Sequence, residues 1–143
     1  MWWVIDVRLW HYKLIPVLPK QMLVSQWREV VAIKRQWEKG TLIHRLVSYV
    51  KNYDKEYFAD YVTSLVIELE IRNIKIQEKY FNEILDFCHI KIVNNVYEEV
   101  LRYTEHNDRY LKQCLYNLQE KFDRGIITQE EWSKIVDKFG GYL

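Results

Sequence analysis

The chain has 143 residues, of which 49% are hydrophobic and 29% are charged, and its formal net charge at pH 7 is +1. These proportions exclude a disordered chain, and the length is typical of one domain that buries a core without disulfides or metals. Four glycines and two prolines provide little turn chemistry for a β-rich fold. We therefore predict an all-α fold, a single compact multi-helix domain over residues 1–143 with an extended N-terminal lead-in.

The sequence shows no sign of export or membrane insertion. No apolar run approaches the ~20 residues that cross a bilayer, and the opening MWWVI is too short for a secretion signal and lacks its basic flank. Cys88 and Cys114 follow none of the spacings used for zinc or redox chemistry, and we expect both to be reduced thiols in the core. These features favour a cytoplasmic protein that does not bind a membrane.

Two prolines separate the N-terminal segment from the first helix. Residues that precede Pro16 and Pro19 are pushed away from helical torsion angles, so residues 7–18 are predicted to be extended or irregular. Pro19 suits the first turn of a helix and Gly40 suits its end, which predicts a helix over about residues 19–39. The apolar stripe of this helix is predicted to be Leu23, Trp27, Val30 and Trp37.

Helical phase separates the charged side chains of this first helix. At about 100° per residue, Arg28 and Arg35 fall together on one flank. Glu29 falls on the opposite flank, away from the centre of the apolar stripe. The helix is thus expected to present two arginines and one carboxylate on different sides of its buried face.

The remainder of the chain is predicted to be helical as well. A short helix is expected over about 42–52, and a longer one over about 54–73 with Asp54 as its N-cap. Asn107 or Asp108 can cap a later helix that Gly125 closes, and Thr128 with Glu131 predicts a capping box for the last helix. The later helices are predicted over about 77–88, 93–105, 107–124 and 128–138.

The patterns of several enzyme classes are missing from the sequence. The four histidines lie at no metal-ligand spacing, and neither a glycine-rich phosphate loop nor a Gly-x-Ser-x-Gly motif occurs. The stretch 124–131 is similar to the second half of an EF-hand loop, but Phe122 and Arg124 stand where Ca²⁺ requires oxygen ligands. We therefore predict no metal and no cofactor.

Charge is distributed unevenly along the chain. Residues 1–51 contain nine Lys or Arg and three acidic residues, whereas the remaining 92 contain twelve and seventeen. The basic residues of the first third alternate with Trp10, Tyr12, Trp27 and Trp37, and cations combined with aromatic rings suit phosphates and bases. This indicates a nucleic-acid partner, although chance clustering on a solvated surface explains the charge alone equally well.

Two stretches of this basic region resemble a known family. VRLW at residues 7–10 and LPKQMLVSQWRE at residues 18–29 are similar to the pyrimidine-dimer DNA glycosylases of the phage endonuclease V type and their bacterial relatives. Gly40-x-x-x-His44 matches a further motif of the bacterial members, and Tyr-Asp-Lys at 53–55 extends the similarity into the next helix. The specific matches are concentrated before residue 45.

The resemblance implies a metal-free DNA repair enzyme, a monomer that acts on double-stranded DNA with a damaged or abasic site. In the family, the α-amine of the N-terminus attacks the sugar C1′, forms a Schiff base and releases the base. A glutamate assists this step and the later β-elimination, and Glu29 matches it; Arg8 is the other residue assigned to the catalytic site. An α-amine suits this role because its reference pKa of about 8 leaves roughly a tenth of it neutral at pH 7.

The resemblance also implies a DNA-binding surface. Arg28 matches an arginine that contacts phosphates near the lesion, and Gln21 matches a glutamine that faces the DNA. The predicted DNA-binding residues are Gln21, Trp27, Arg28, Lys34, Arg35 and His44.

Residues 1–6 precede the matched segment, because the first residue of the family aligns with Val7. Six extended residues reach about 20 Å, which takes the amine of Met1 away from a site around Arg8 and Glu29. Since GTG encodes valine internally but initiates with methionine, our hypothesis is that translation starts at Val7. Residues 1–6 would then be a start-site extension.

Two departures from the phage enzyme affect the expected chemistry. Arg8 stands where that enzyme has a small residue, so the nucleophile would be the amine of the initiating methionine or another group such as Lys13. Ala32 stands where the phage enzyme has an arginine, which predicts a different lesion specificity.

Two other interpretations of the sequence stay open. One is a catalytically silent relative that binds nucleic acid and keeps the fold and the basic face. The other is an all-α interaction module in which Glu29 is merely a solvated helix residue.

Overall fold

The described part of the chain consists of helices and the segments that join them. The computed structural model describes residues 8–90 and 100–143, and no strand occurs within these ranges. The α-helices in them are α1 (Lys20–Lys39), α2 (Lys55–Ile71), α3 (Glu78–Phe87), α4 (Asp108–Asp123) and α5 (Gln129–Phe139). Short 3-10 helices cover Tyr12–Val17, Ser48–Asn52 and Gly140–Tyr142. The predicted all-α fold is confirmed.

Helix ends lie where the local sequence signals predicted them. Gly40 ends α1 in the left-handed region, at φ 76°, where glycine lacks the steric penalty of other residues. The side chain of Asn107 accepts the Tyr110 N–H at 2.9 Å and caps α4. The capping box of α5 is also present, because Thr128 and Glu131 accept each other's main-chain N–H groups, both at 3.1 Å. Asp54 precedes α2 but makes no side-chain capping bond.

The segment before α1 is more regular than predicted. Tyr12–Val17 forms a 3-10 helix that includes Pro16. A short 3-10 helix leaves carbonyl groups unpaired, and a neighbouring helix supplies their partner. The guanidinium of Arg72, at the C-terminal end of α2, donates to the carbonyls of Leu18 at 2.7 Å, Pro16 at 3.2 Å and Ile15 at 3.3 Å.

The helix predicted over 42–52 is mostly a loop, since only Ser48–Asn52 is helical. Leu42 and Val47 are buried, whereas Ile43 is 82% exposed. Two buried anchors five residues apart do not share a helix face, so packing holds the stretch as a loop.

Part of the helix predicted over 93–105 lies outside the described residues, namely 91–99. Its remainder, from Val100 to Glu105, is not helical. The Leu101 N–H donates to Asp60 Oδ2 of α2 at 2.7 Å, and Tyr103 is buried. Contacts with α2 thus replace the hydrogen bonds of a helix in this stretch.

Buried side chains of the N-terminal segment and of all five α-helices form one apolar cluster. α1 packs against α2 and α3, and the 3-10 helix Tyr12–Val17 packs against α2 and α5. Leu23, Trp27 and Val30 of the predicted stripe are buried. Trp37 is half-buried and meets the rings of Phe58 and Phe87 edge-on.

Both cysteines are free thiols within this core, as predicted. Burial raises the pKa of Cys88 to about 11 and also raises the pKa of Cys114. Neither thiol is therefore set up as a nucleophile. None of the helices in the described ranges is both long enough and apolar enough to cross a bilayer.

Candidate active site

Side chains from the helices hold the main chain of residues 8–10 in the core. The Arg8 carbonyl accepts from Gln26 Nε2 at 2.8 Å, and the Leu9 carbonyl accepts from the Tyr110 hydroxyl. Trp10 donates its N–H to Gln26 Oε1 at 2.7 Å and accepts from the Tyr61 hydroxyl at 2.6 Å. Because a buried main chain must find partners for its polar groups, these contacts from α1, α2 and α4 fix the segment in position.

Gln26 connects this segment to the predicted catalytic carboxylate. Its side chain is fully buried, and its Nε2 donates to Glu29 Oε2 at 2.9 Å as well as to the Arg8 carbonyl. Glu29 is half-buried, one turn further along α1. The structure therefore brings Arg8 and Glu29 together, because the Arg8 carbonyl and the Glu29 carboxylate both accept a hydrogen bond from Gln26 Nε2.

The sequence analysis missed Gln26. Its position on α1 lies on the same face as Leu23 and Val30, three and four residues away. A polar side chain on an apolar stripe is the signal that could have identified it, because buried polar groups require hydrogen-bond partners.

The Arg8 side chain extends toward α4. Its guanidinium carbon lies 5.5 Å from the centroid of the Trp10 ring. The Arg8 side chain also acts on Cys114 of α4. Burial raises the pKa of this thiol, and the main chain of His11, the Tyr110 side chain and Arg8 oppose that rise. The catalytic role assigned to Arg8 stays a prediction, and what the structure shows of it is a partly buried cation in the N-terminal segment.

Two buried histidines support the same segment from the other side. The rings of His11 and His106 lie 5.3 Å apart. His106 Nδ1 accepts the Tyr12 N–H at 3.2 Å, so its Nε2 carries the proton of the neutral ring and donates to the Tyr49 hydroxyl at 2.8 Å. His11 Nδ1 accepts the Lys13 N–H at 3.1 Å. Burial lowers the pKa of His11 to about 4 and that of His106 to about 3, which keeps both rings neutral.

Four of the six predicted DNA contacts are exposed on the surface: Gln21, Arg28, Arg35 and His44. Arg28 precedes Glu29 on α1, about 100° away around the helix axis, and its side chain is exposed. Arg35 lies about two turns further along α1, on the same flank as Arg28. Its guanidinium carbon is 5.2 Å from the centroid of the Tyr80 ring. These positions suit contacts with phosphates.

The other two predicted contacts, Trp27 and Lys34, are buried. Trp27 belongs to the apolar cluster. Lys34 Nζ pairs with Glu38 Oε1 at 3.2 Å and lies 6.0 Å from the centroid of the Phe87 ring. Helix phase places both side chains against the core, and their contacts with DNA stay predictions.

Comparison with protein families gave a match. Residues 7–82 match the family described as pyrimidine dimer DNA glycosylase. Fold and match together define a helical protein of the DNA glycosylase class, which acts in DNA repair. More narrowly, the chain belongs to the pyrimidine dimer DNA glycosylase family, since the match covers more than half of it. The matched range includes Arg8, Gln26 and Glu29.

The other comparisons found no relative: no curated protein and no solved structure matches the chain. In residues 8–90 and 100–143, no group of three or more His, Cys, Asp or Glu side chains is placed to hold a metal ion.

Proposed function

We propose that this protein is a DNA glycosylase with abasic-site lyase activity on damaged pyrimidines, in which an α-amine at position 7 and the carboxylate of Glu29 perform the chemistry. The observation that carries the proposal is the double contact of the Gln26 amide. Its Nε2 lies 2.8 Å from the Arg8 carbonyl oxygen and 2.9 Å from Glu29 Oε2. The main chain at residue 8 is therefore next to the carboxylate.

Covalent geometry extends this proximity to residue 7. Consecutive Cα atoms are about 3.8 Å apart, so an amine on residue 7 is within one residue of the contact between Arg8 and Gln26. The family match begins at the same residue. In a chain that starts there, this nitrogen is a free amine, whereas in a chain that carries residues 1–6 it is an amide with no nucleophilic lone pair.

The two groups suffice for the reaction. The amine nitrogen forms a bond to the sugar C1′, the bond between C1′ and the base breaks, and the base leaves with the electron pair and takes up a proton. The attacking nitrogen gives up a proton to Glu29, O4′ takes up that proton as the bond between C1′ and O4′ breaks, and an iminium ion forms between the nitrogen and C1′. Glu29 then removes a proton from C2′, the bond between C3′ and its phosphate oxygen breaks, and hydrolysis of the iminium ion frees the enzyme.

The exposed side chains of α1 supply the contacts with DNA in this proposal. Arg28 contacts a phosphate next to the lesion, and Arg35 contacts a more distant phosphate. Gln21 at the start of α1 and His44 in the loop after it face the duplex. Extrusion of the damaged nucleotide delivers C1′ to the amine.

A trapping experiment tests the proposal. Chains that start at Met1 and at position 7 are incubated with duplexes that contain an abasic site or an ultraviolet lesion, and borohydride then reduces any iminium ion to a stable adduct. We expect an adduct only with the shorter chain, and its loss in Glu29→Gln. Mass spectrometry of the N-terminus of the natively expressed protein identifies the amine that is present.

Other outcomes point to different functions. Binding to DNA without an adduct in either chain favours a silent DNA-binding relative. An adduct with the longer chain that disappears in Lys13→Met assigns the nucleophile to Lys13, which is exposed in the N-terminal segment. No binding at low salt contradicts both DNA-directed functions.

A further inference from the structure

We infer that Gln26 is a positioning residue that fixes the spacing and orientation between the main chain at residue 8 and the carboxylate of Glu29. The inference rests on the proposed function, because it assigns a role to Gln26 in that reaction. The residue touches neither substrate nor reacting atoms. It acts through the two groups that it holds.

The hydrogen bonds determine which way the Gln26 amide faces. Trp10 contributes an N–H, which can only donate, so the atom it meets at 2.7 Å is the amide oxygen. The other end is therefore the NH₂ group, and its two partners are both oxygen atoms, the Arg8 carbonyl at 2.8 Å and Glu29 Oε2 at 2.9 Å. Each of its two hydrogens has one acceptor.

The amide oxygen is equally well occupied. Its second contact is the Tyr61 hydroxyl at 3.1 Å, whose single hydrogen is shared with the Trp10 carbonyl at 2.6 Å. Burial raises the pKa of Tyr61 well above its usual value, so this hydroxyl keeps its proton as a donor. With two acceptors on its nitrogen and the Trp10 N–H on its oxygen, the amide has no alternative orientation that satisfies its neighbours.

Burial separates this role from DNA binding. Gln26 is fully buried, so a change in its side chain does not remove a contact with a phosphate or a base. Gln21 and Gln36 lie on the same helix with exposed side chains. The same substitution at the three glutamines of α1 can therefore be compared. Gln26 has the positioning role, Gln21 is assigned to DNA contact, and Gln36 has neither role.

Substitutions at Gln26 test the inference in the chain that starts at position 7. Gln26→Met keeps the length of the side chain and removes every hydrogen bond. Gln26→Glu keeps an acceptor for the Trp10 N–H but removes the donor to Glu29. We expect the rate of adduct formation at saturating abasic DNA to fall by about ten- to a hundredfold in both variants, since misplacement of reacting groups by about 1 Å has effects of this size. The dissociation constant for DNA should stay within about threefold of the parent value.

Two control variants and one milder substitution complete the set. Gln36→Met should match the parent in rate and affinity. Gln21→Met, at a residue assigned to the DNA surface, should weaken binding. Tyr61→Phe removes only the hydroxyl that donates to Gln26 Oε1 and the Trp10 carbonyl, and we expect a severalfold slower rate with unchanged affinity. If the Gln26 variants do not fold, Tyr61→Phe is the variant that tests the positioning role.

The outcomes distinguish the inference from the function on which it rests. Parent-like rates in folded Gln26→Met and Gln26→Glu, or in Tyr61→Phe where those two are unfolded, overturn the positioning role and leave the enzyme proposal intact. A fall that appears entirely in DNA affinity also overturns it. Absence of an adduct in the unsubstituted shorter chain overturns the proposed function, and the positioning role with it.

Discussion

Acidification is expected to destabilise the fold through the two buried histidines beside the N-terminal segment. His11 and His106 each use Nδ1 to accept a main-chain N–H, from Lys13 and Tyr12 respectively. A proton on Nδ1 would point at another donor, so the folded protein disfavours the charged ring both by burial and by geometry. Burial is the largest cause of their pKa values of about 4 and about 3, which lie below the usual 6.5.

The size of the effect follows from proton binding. At pH 5 an unfolded histidine with a pKa of 6.5 is about 97% protonated, whereas in the folded protein His11 is about 10% protonated and His106 about 1%. Because the unfolded state binds more protons, stability falls as the pH decreases from about 6.5 toward the folded pKa values. Each histidine should lower the free energy of unfolding by about 2 kcal/mol between pH 7.5 and 5. Together they remove about 4 kcal/mol, a large part of the ~5–15 kcal/mol typical of a domain.

Urea denaturation at several pH values between 7.5 and 5 measures this loss, and His106→Gln isolates one histidine. A glutamine can accept the Tyr12 N–H and donate to Tyr49 without titrating, so the loss of stability between pH 7.5 and 5 should be smaller by about 2 kcal/mol, whatever the stability at pH 7.5. His44→Gln, at an exposed position, is the matched control and should keep the parent's pH dependence. A His106→Gln protein with the same pH dependence as the parent refutes the reasoning.

Three further substitutions have definite expected results. Glu131→Ala should lower the free energy of unfolding by about 1–2 kcal/mol in urea denaturation at pH 7, because it removes the acceptor of the Thr128 and Lys20 N–H groups; unchanged stability would show that this capping box is dispensable. Arg72→Met should lower the free energy of unfolding by about 1–3 kcal/mol in the same assay, since it leaves carbonyl groups of the 3-10 helix Tyr12–Val17 without their donor. The control Arg124→Met removes only an exposed ion pair and should lower it far less. Arg28→Ala should weaken duplex binding and reduce the slope of log affinity against log salt by about one, whereas Lys34→Met should change that slope much less; equal effects of the two would contradict the surface assigned from their exposure.

The pH dependence of stability also depends on Glu131. Burial alone would raise the pKa of this carboxyl group, but hydrogen bonds from the N–H groups of Thr128 and Lys20 lower it below its usual value of 4.5. Its contribution is therefore present above that value and is lost as the pH falls further. The histidine effect begins at higher pH, so the two can be separated in one titration of stability.

Local sequence signals predicted the helices well where they carry their own end markers. Pro19 and Gly40 delimit α1, Asn107 caps α4, and Thr128 with Glu131 starts α5. Each of these interactions joins residues no more than a few positions apart, so its physics is contained in the sequence window. The stretch over 42–52 lacked such markers, and its conformation depends on where Leu42 and Val47 find space in a core built by distant residues.

In the candidate site, too, features that depend on neighbouring residues were predictable and features that depend on distant residues were not. Glu29 and Arg28 were identified from a short motif, and the structure describes Glu29 as half-buried and Arg28 as exposed. Basic charge alone could not separate Arg28 from Lys34, which belongs to the buried side of the same helix. Gln26 was missed because its four partners come from residues 8, 10, 29 and 61. The local pattern could show only that a polar side chain stands on an apolar stripe, and it could not show which partners that side chain would meet.

The same contacts show how a small helical domain can hold the main chain of residues 8–10 in place. A chain terminus is ordinarily poorly ordered unless it is tied down, yet residues 8–10 receive hydrogen bonds from α1, α2 and α4. The carboxylate stands on α1, a 20-residue helix packed against α2 and α3, and rigid elements position catalytic groups better than loops do. The folded core therefore fixes the main chain from residue 8 onward, and each residue added before position 7 moves a terminal amine up to about 3.5 Å further along the chain.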